Sequence, residues 1–116
     1  MKIVDFGLSA TVPNVQYNKE GEYLNQQIGT FFYMSPEILK KRYTVKCDLW
    51  ALGVILYFLI CAEHPFDSDT GNQIEIIRKI IKGEWVMEHP NFDLVSEECR
   101  DFLCQLLCPE EERMTA

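Results

Sequence analysis

The chain has 116 residues, a hydrophobic fraction of 47% and a formal net charge of −7 at pH 7. A length of this order fits one domain or part of one. The acidic balance argues against a nucleic-acid partner and against an anionic membrane surface, because both attract clusters of Lys and Arg. The residues after Met1 show no long apolar segment typical of a secretory signal peptide, and we expect a cytoplasmic protein.

Five cysteines occur, and neither their odd number nor their spacing fits a disulfide framework. Cys104 and Cys108 are four residues apart, so a helix would place them on one face. A metal site would need further ligands, and both histidines are distant in sequence. We expect these cysteines to act as small buried hydrophobic residues whose thiols stay reduced in the cytosol.

The N-terminal third is predicted to be an arm with little regular structure. Lys2-Ile3-Val4 is predicted to be a short strand, and residues 8 to 34 a long loop rich in turn-forming residues. Loops of that length in compact domains tend to be functional. Pro36 is predicted to open a short helix through Leu39, since proline suits a first helical position.

A central helix is predicted over Lys46 to Ala62. Its apolar run, Leu49 to Ala62, covers fourteen residues interrupted only by Gly53. A membrane span needs about 20 residues, so a buried helix is the better interpretation. A helix that is apolar on every side must be covered on every side.

Two amphipathic helices are predicted downstream, over residues 70–82 and 96–108. Thr70 and Gln73 have the spacing of a capping box at the start of the first helix, and Gly83 is placed to end it. Three isoleucines at helical spacing are predicted to form its buried stripe. They are Ile74, Ile77 and Ile81.

Ser96 is predicted to cap the last helix, and Pro109 to end it. Five residues at helical spacing are predicted to face inward: Cys99, Phe102, Leu103, Leu106 and Leu107. The fold class predicted from the whole pattern is mainly α. It consists of a buried central helix, two amphipathic helices and one long irregular arm.

Several different short motifs follow one another along the chain. Asp5-Phe6-Gly7 comes first, and Ser35-Pro36-Glu37 begins thirty residues later, with Gly29-Thr30-Phe31-Phe32-Tyr33-Met34 between them. An aspartate on such a turn can present its carboxylate to Mg²⁺, which prefers oxygen ligands. The tripeptide alone is a weak signal, and its spacing to the later motif makes it specific. Further motifs follow downstream, namely Asp48-x-Trp50, Pro65-Phe66 and Arg113-x-Thr115-Ala116.

With these motifs the chain resembles the C-terminal part of a eukaryotic serine/threonine protein kinase domain. It is most similar to the calcium-dependent and calmodulin-dependent kinase group, through Tyr43-x-x-Lys46-Cys47-Asp48-Leu49-Trp50 and Gly53-Val54-Ile55-Leu56-Tyr57. The likeness covers residues 1–116 and implies a partial kinase domain. Residues 1–37 would be the magnesium-binding and activation segment, and residues 38–116 the helical C-lobe.

The resemblance implies a cofactor site and an acceptor site. Asp5, on the turn with Phe6 and Gly7, would bind the magnesium that bridges the phosphates of ATP. Thr30 lies in the loop that receives the protein substrate and would favour serine or threonine acceptors. Phe31, Phe32 and Met34 would contact the residue that flanks the acceptor, which suggests an apolar neighbour.

The resemblance also implies two structural roles. Glu37 would pair with Arg113 and hold the activation segment on the helical lobe, the alternative being two solvated charges. Asp48 would hold the backbone of the catalytic loop, or would simply cap the central helix.

Three motifs of a complete kinase do not occur in the 116 residues: the glycine-rich loop, the strand lysine and the His-Arg-Asp loop. We therefore expect this chain alone to be inactive and to need an N-lobe and a catalytic loop as partners. In the family, other elements surround the apolar helix. We therefore expect the isolated chain to expose a large apolar patch and so to self-associate, to misfold or to need the rest of its kinase. The alternative function is a non-catalytic lobe that acts as a protein-binding or regulatory module.

Overall fold

The computed structural model describes residues 2–9 and 31–115, and the helices in these ranges confirm the prediction of a mainly α fold. Lys2-Ile3-Val4 do not form the predicted strand, so that prediction is wrong. A strand requires a paired neighbour, and here Ile3 and Val4 are 80% and 76% exposed. Four α-helices are described: α1 Pro36–Leu39, α2 Cys47–Cys61, α3 Gln73–Lys82 and α4 Glu97–Leu106, with 3-10 turns at Phe31–Tyr33 and Pro90–Leu94.

Helices α1 and α2 begin and end close to their predicted positions. Ser35 Oγ accepts a hydrogen bond from the Ile38 amide at 3.4 Å, and Pro36 occupies the first turn of α1. Helix α2 runs between Lys46 and Ala62, which are its caps. Ala62 has a φ of 58° and its amide donates to the Phe58 carbonyl at 2.7 Å, which ends the helix in a left-handed residue.

Helix α3 has a different start from the predicted one. Asn72, not Thr70, is its N-cap, and Asn72 Oδ1 accepts from the Ile74 amide at 3.0 Å. The predicted capping box is wrong because the Thr70 hydroxyl bonds instead with Ser68, at 2.9 Å, and Glu75, at 3.3 Å. Gly83 ends the helix at a φ of 65°, as predicted.

The buried stripe of α3 is also displaced from the predicted one. Ile76 and Ile80 are 1% and 0% exposed, whereas Ile74 and Ile81 are 78% and 43% exposed. The predicted stripe is wrong because the isoleucines surround most of this helix, and the neighbours of α3 decide which of them are buried.

Helix α4 starts as predicted, with Ser96 Oγ accepting from the Cys99 amide at 3.3 Å. The predicted inward face of α4 includes two residues that are not fully buried. Leu103, Leu106 and Leu107 are buried, but Phe102 is 39% exposed and Cys99 lies at the margin.

Helix α2 buries one side against the rest of the fold and leaves the other side open. Its buried side consists of Cys47, Trp50, Gly53, Val54, Tyr57 and Cys61. Gly53 lies against α4 so closely that a methyl group there would be 2.9 Å from Leu106 Cβ. On the open side, Leu59 is 74% exposed, and Leu52, Ile55 and Phe58 are 41–46% exposed. Within the described ranges, no helix is long and apolar enough to cross a bilayer.

Candidate functional site

The Asp5-Phe6-Gly7 motif forms a tight exposed turn. Asp5 adopts a left-handed φ of 66°, and its Oδ1 accepts a hydrogen bond of 3.5 Å from the Gly7 amide. The Ser9 amide and hydroxyl both donate to the Phe6 carbonyl, at 3.0 and 2.7 Å. The turn therefore fixes its own backbone locally and presents the carboxylate of Asp5 to solvent.

No ready-made metal site surrounds that carboxylate. Within residues 2–9 and 31–115, no three or more His, Cys, Asp or Glu side chains are grouped so that they could hold an ion. Cys104 is exposed, and the Cys108 thiol donates to the Gln105 carbonyl at 3.3 Å. Asp5 can supply one oxygen ligand of the kind that Mg²⁺ prefers, and the other ligands would have to come from the nucleotide or from other residues.

Thr30 lies outside the described residues, which continue from Phe31. Phe31–Tyr33 forms a 3-10 turn, which we call the aromatic turn. The rings of Phe32 and Tyr33 lie against His64, just beyond the end of α2, and Phe31 stacks on Phe32. Met34 and Ser35 follow and are 6% and 0% exposed, so the chain enters the core immediately after the aromatic turn.

Glu37 and Arg113 form a bidentate ion pair inside the fold. Arg113 Nη1 donates to Glu37 Oε1, and Nη2 donates to Oε2 at 3.4 Å. The two side chains are 0% exposed for Arg113 and 8% for Glu37, so the pair is buried and its charges are not solvated. Two parallel hydrogen bonds of this kind fix orientation as well as distance.

Arg113 also binds two backbone carbonyls. Its Nη1 donates to the Lys46 carbonyl and its Nη2 to the Cys108 carbonyl, both at 2.9 Å. The guanidinium lies over the ring of Trp50, 5.0 Å from the ring centroid. One side chain therefore joins α1, the start of α2 and the segment after α4. Its Nε is buried and has no hydrogen-bond partner in the described chain.

Lys46 adds further bonds between the start of α2 and the segment after α4. The sequence alone did not predict this role. Its Nζ donates to the carbonyls of Arg113 at 2.7 Å and of Glu110 at 3.0 Å. The Thr44 amide donates to the Glu110 carboxylate at 3.1 Å. A signal was present in the sequence, because a lysine at the start of a helix opposes the helix dipole and so needs a separate explanation.

Comparison with known proteins identifies the family. The family model described as "Protein kinase domain" matches residues 1–116. The chain belongs to the protein kinase domain family. It is 36% identical over 117 residues to CDPK-related kinase 5 of Arabidopsis thaliana, covering 100% of this chain and 18% of that protein.

Two further relatives are similar to this kinase chain to the same degree. Identity is 36% over 107 residues to calcium-dependent protein kinase 5 of Plasmodium falciparum, isolate 3D7, over 92% of this chain and 17% of that protein. It is 37% over 117 residues to CDPK-related protein kinase of Daucus carota, over 100% of this chain and 18% of that protein. The chain thus spans under one fifth of the length of these relatives.

Asp48 lies two residues after Lys46 and makes little contact within the described residues. It is the second residue of α2, is exposed, and accepts a hydrogen bond of 3.7 Å from the Cys47 thiol. Lys46 is the N-cap, so a simple capping role for Asp48 is wrong, although an acidic side chain in the first turn favours the helix dipole.

The thiol of Cys47 beside this aspartate is not a nucleophile at neutral pH. Burial, together with the carboxylates of Asp48 and Glu37, raises the pKa of Cys47 to about 12, although Arg113 opposes this rise. The thiolate is the reactive form of cysteine, and this environment suppresses it. Cys47 therefore acts as a buried packing residue at the start of α2.

Proposed function

We propose that this chain is the activation segment and helical lobe of an ATP-dependent kinase that phosphorylates serine or threonine in proteins. In this proposal residues 1–37 form the magnesium-binding and activation segment and residues 38–116 the helical lobe. The observation that carries it is the buried Glu37–Arg113 pair. The pair ties the segment that follows the Asp-Phe-Gly turn to the helical core, in a chain whose family is the protein kinase domain.

The cofactors of this proposal are ATP and Mg²⁺. Bound magnesium would neutralise the charge that develops on the transferred phosphoryl group. Asp5 is the residue that would hold it, because its carboxylate lies on an exposed turn whose backbone is fixed by Phe6 and Gly7. The fit is partial, since Asp5 contributes one carboxylate and the phosphates must contribute further oxygens.

The substrate of this proposal is a protein. Thr30 and the aromatic turn after it would receive the segment that contains the acceptor hydroxyl. Burial of Met34 leaves Phe31, Phe32 and Tyr33 as the side chains able to contact that segment, so the predicted contact of Met34 is replaced by Tyr33. Asp48, exposed at the start of α2, is free to bind the backbone of a catalytic loop supplied by another part of the kinase.

A kinase assay of the purified chain with ATP and Mg²⁺ is the first test of this proposal. Phosphoryl transfer needs the glycine-rich loop, the strand lysine and the catalytic-loop aspartate together, and none of those motifs occurs in these residues. We expect no transfer by the chain alone. Transfer that persists after repeated purification and disappears with Asp5→Ala would contradict this expectation.

The second test is the sequence of the transcript upstream of the Met1 codon. A reading frame that encodes the three missing motifs in phase with this chain would support the kinase proposal. Its product should then phosphorylate serine or threonine in a general protein acceptor. An in-frame stop codon directly upstream would reject the proposal for this gene product.

A non-catalytic protein-binding module is the second candidate function. The observation that favours it is the open apolar side of α2, where Leu59 is 74% exposed. Isolation of a native protein of 13.6 kDa in a stoichiometric complex through α2 would favour this candidate. Detection of these residues only within a longer polypeptide would reject it. For either candidate we propose a reducing location such as the cytoplasm, which the five free thiols support.

A further inference from the structure

His64 is enclosed by three aromatic rings that come from two separate parts of the chain. The ring of Phe32 stacks on it at 4.5 Å between centroids, with an interplanar angle of 18°. Tyr33 meets it edge-on at 5.5 Å and 80°, and Phe58 of α2 lies 5.0 Å away at 35°. These distances fall in the range where stacked and edge-to-face rings attract each other.

Hydrogen bonding through Nδ1 does not explain this histidine. Its Nδ1 is buried and has no hydrogen-bond partner in the described chain. The hydrogen bond recorded for His64 is made by its backbone carbonyl, which accepts from the Asp67 amide at 3.3 Å. The imidazole contacts the aromatic turn through the area and the faces of its ring, and a ring of similar size without polar atoms should make the same contacts.

The position of His64 matters because its ring adds contacts to a turn that packs on the core through Phe31 and Phe32. The Glu37–Arg113 pair fixes the chain a few residues after the turn, and Met34 and Ser35 are buried between the two. The turn itself is partly exposed, with Tyr33 at 37%. Stacking on His64 couples the turn to the segment directly after α2, a helix whose Tyr57 and Cys61 belong to the core.

We propose that His64 is a positioning residue that holds the aromatic turn Phe31–Tyr33 in the orientation that receives an acceptor protein. The inference rests on the proposed function, because it assigns that orientation to acceptor binding. The surface offered by the turn is aromatic, so it suits an acceptor with an apolar side chain next to its serine or threonine. Loss of the imidazole ring should weaken acceptor binding without affecting the site of ATP.

The first experiment measures the position of the turn without any need for kinase activity. The Met34 amide donates to the Phe31 carbonyl at 3.1 Å, so its hydrogen exchange reports whether the turn is formed. We expect His64→Ala to accelerate this exchange by about tenfold, because both ring contacts between His64 and the turn are lost. His64→Phe should stay within about twofold of the unchanged chain, because it keeps the ring.

The matched control is the other histidine. His89 Nδ1 accepts from the Asn91 amide at 3.2 Å and caps the 3-10 turn Pro90–Leu94. His89→Ala should leave the exchange of Met34 unchanged. Equal acceleration by His64→Ala and His64→Phe, or by His64→Ala and His89→Ala, would overturn the positioning role. So would unchanged exchange in His64→Ala.

The second experiment measures acceptor binding in the longer polypeptide that carries kinase activity. Two serine peptides are compared, one with leucine and one with glycine after the serine. We expect His64→Ala to raise KM for the leucine peptide by about tenfold with KM for ATP unchanged, and His64→Phe to restore it. Equal effects on both peptides, or an effect on KM for ATP, would overturn the role in acceptor binding. Absence of transfer by the unaltered polypeptide would reject the kinase proposal, and the exchange experiment would still decide whether His64 holds the turn.

Discussion

Lys46 and Arg113 hold each other through reciprocal bonds from side chain to backbone. Lys46 Nζ donates to the Arg113 carbonyl at 2.7 Å, and Arg113 Nη1 donates to the Lys46 carbonyl at 2.9 Å. Each cation thus satisfies the backbone of the other, in spite of a separation of 67 residues in sequence. These two bonds fix the start of the central helix to the C-terminal segment. The ion pair between Glu37 and Arg113 adds a further connection.

Replacement of Lys46 by methionine tests the first half of this relationship. Lys46→Met keeps the length of the side chain but removes two charge-assisted bonds to carbonyls. We expect a loss of about 2 kcal/mol in the free energy of unfolding, measured by urea denaturation. The control is Lys40→Met, at an exposed position after α1, which should stay within about 0.5 kcal/mol. Equal effects of the two changes would show that the Lys46 bonds contribute nothing.

Removal of one partner of the buried ion pair should cost more. Glu37→Ala leaves the guanidinium of Arg113 buried without its carboxylate, and we expect a loss of about 3–5 kcal/mol by the same measurement. Glu111→Ala, at an exposed glutamate nearby, is the control and should be nearly neutral. Addition of Arg113→Ala to Glu37→Ala should cost less than the sum of the two single changes. Additive losses would contradict a direct interaction.

The free energy of unfolding should change with pH because the thiol of Cys47 is buried in the folded chain. The pKa of this thiol is 9.0 in an ordinary environment and is raised to about 12 by burial in the folded chain. Above pH 9.0 the unfolded chain loses this proton while the folded chain keeps it, so the stabilising contribution is full below pH 9.0 and declines towards pH 12. The stability of Cys47→Ala should decline less over this range.

The measurement is urea denaturation of both proteins at several pH values from 7 to 11. Burial also raises the pKa of Tyr57 to about 12, but Tyr57 is present in both proteins and its effect cancels in the difference. A difference in unfolding free energy that stays constant from pH 7 to 11 would contradict the assignment.

The open side of α2 should cause self-association of the isolated chain. Leu59 is 74% exposed, and it lies on the same helix as the partly exposed Leu52, Ile55 and Phe58. We expect Leu59→Glu to reduce the mass measured by light scattering. Ile74→Glu is the control, because Ile74 is 78% exposed on another helix and the change in charge is the same. A monomer at all concentrations, or equal effects of both changes, would contradict the prediction.

Elements that depend on local chemistry were predictable from sequence. Ser35 and Ser96 cap their helices because a serine side chain satisfies amides only a few residues away, and Gly83 ends α3 because it adopts a positive φ readily. The length of α2 followed from its apolar run, which only Gly53 interrupts. Each of these signals lies within one or two helical turns of the structure that it determines.

Elements that depend on distant contacts were not predictable in this way. Helix α3 has five isoleucines that offer two overlapping stripes, and only packing in the fold selects Ile76 and Ile80. Lys46 binds carbonyls that are 64 and 67 residues away, and a carbonyl has no sequence signature. The pairing of Glu37 with Arg113 was expected only from the resemblance to kinases, since no local pattern links residues 76 positions apart.

In the proposed function, the carboxylate of Asp5 serves phosphoryl transfer in a larger kinase. The direct measurement is the rate of phosphate transfer to a serine peptide by the longer polypeptide, with and without Asp5→Ala. The control is Asp101→Ala, at an exposed aspartate on α4. We expect Asp5→Ala to lower the rate by about a hundredfold or more, as loss of a charge-stabilising group does, and Asp101→Ala to have no effect. An unchanged rate with Asp5→Ala would contradict this role of Asp5.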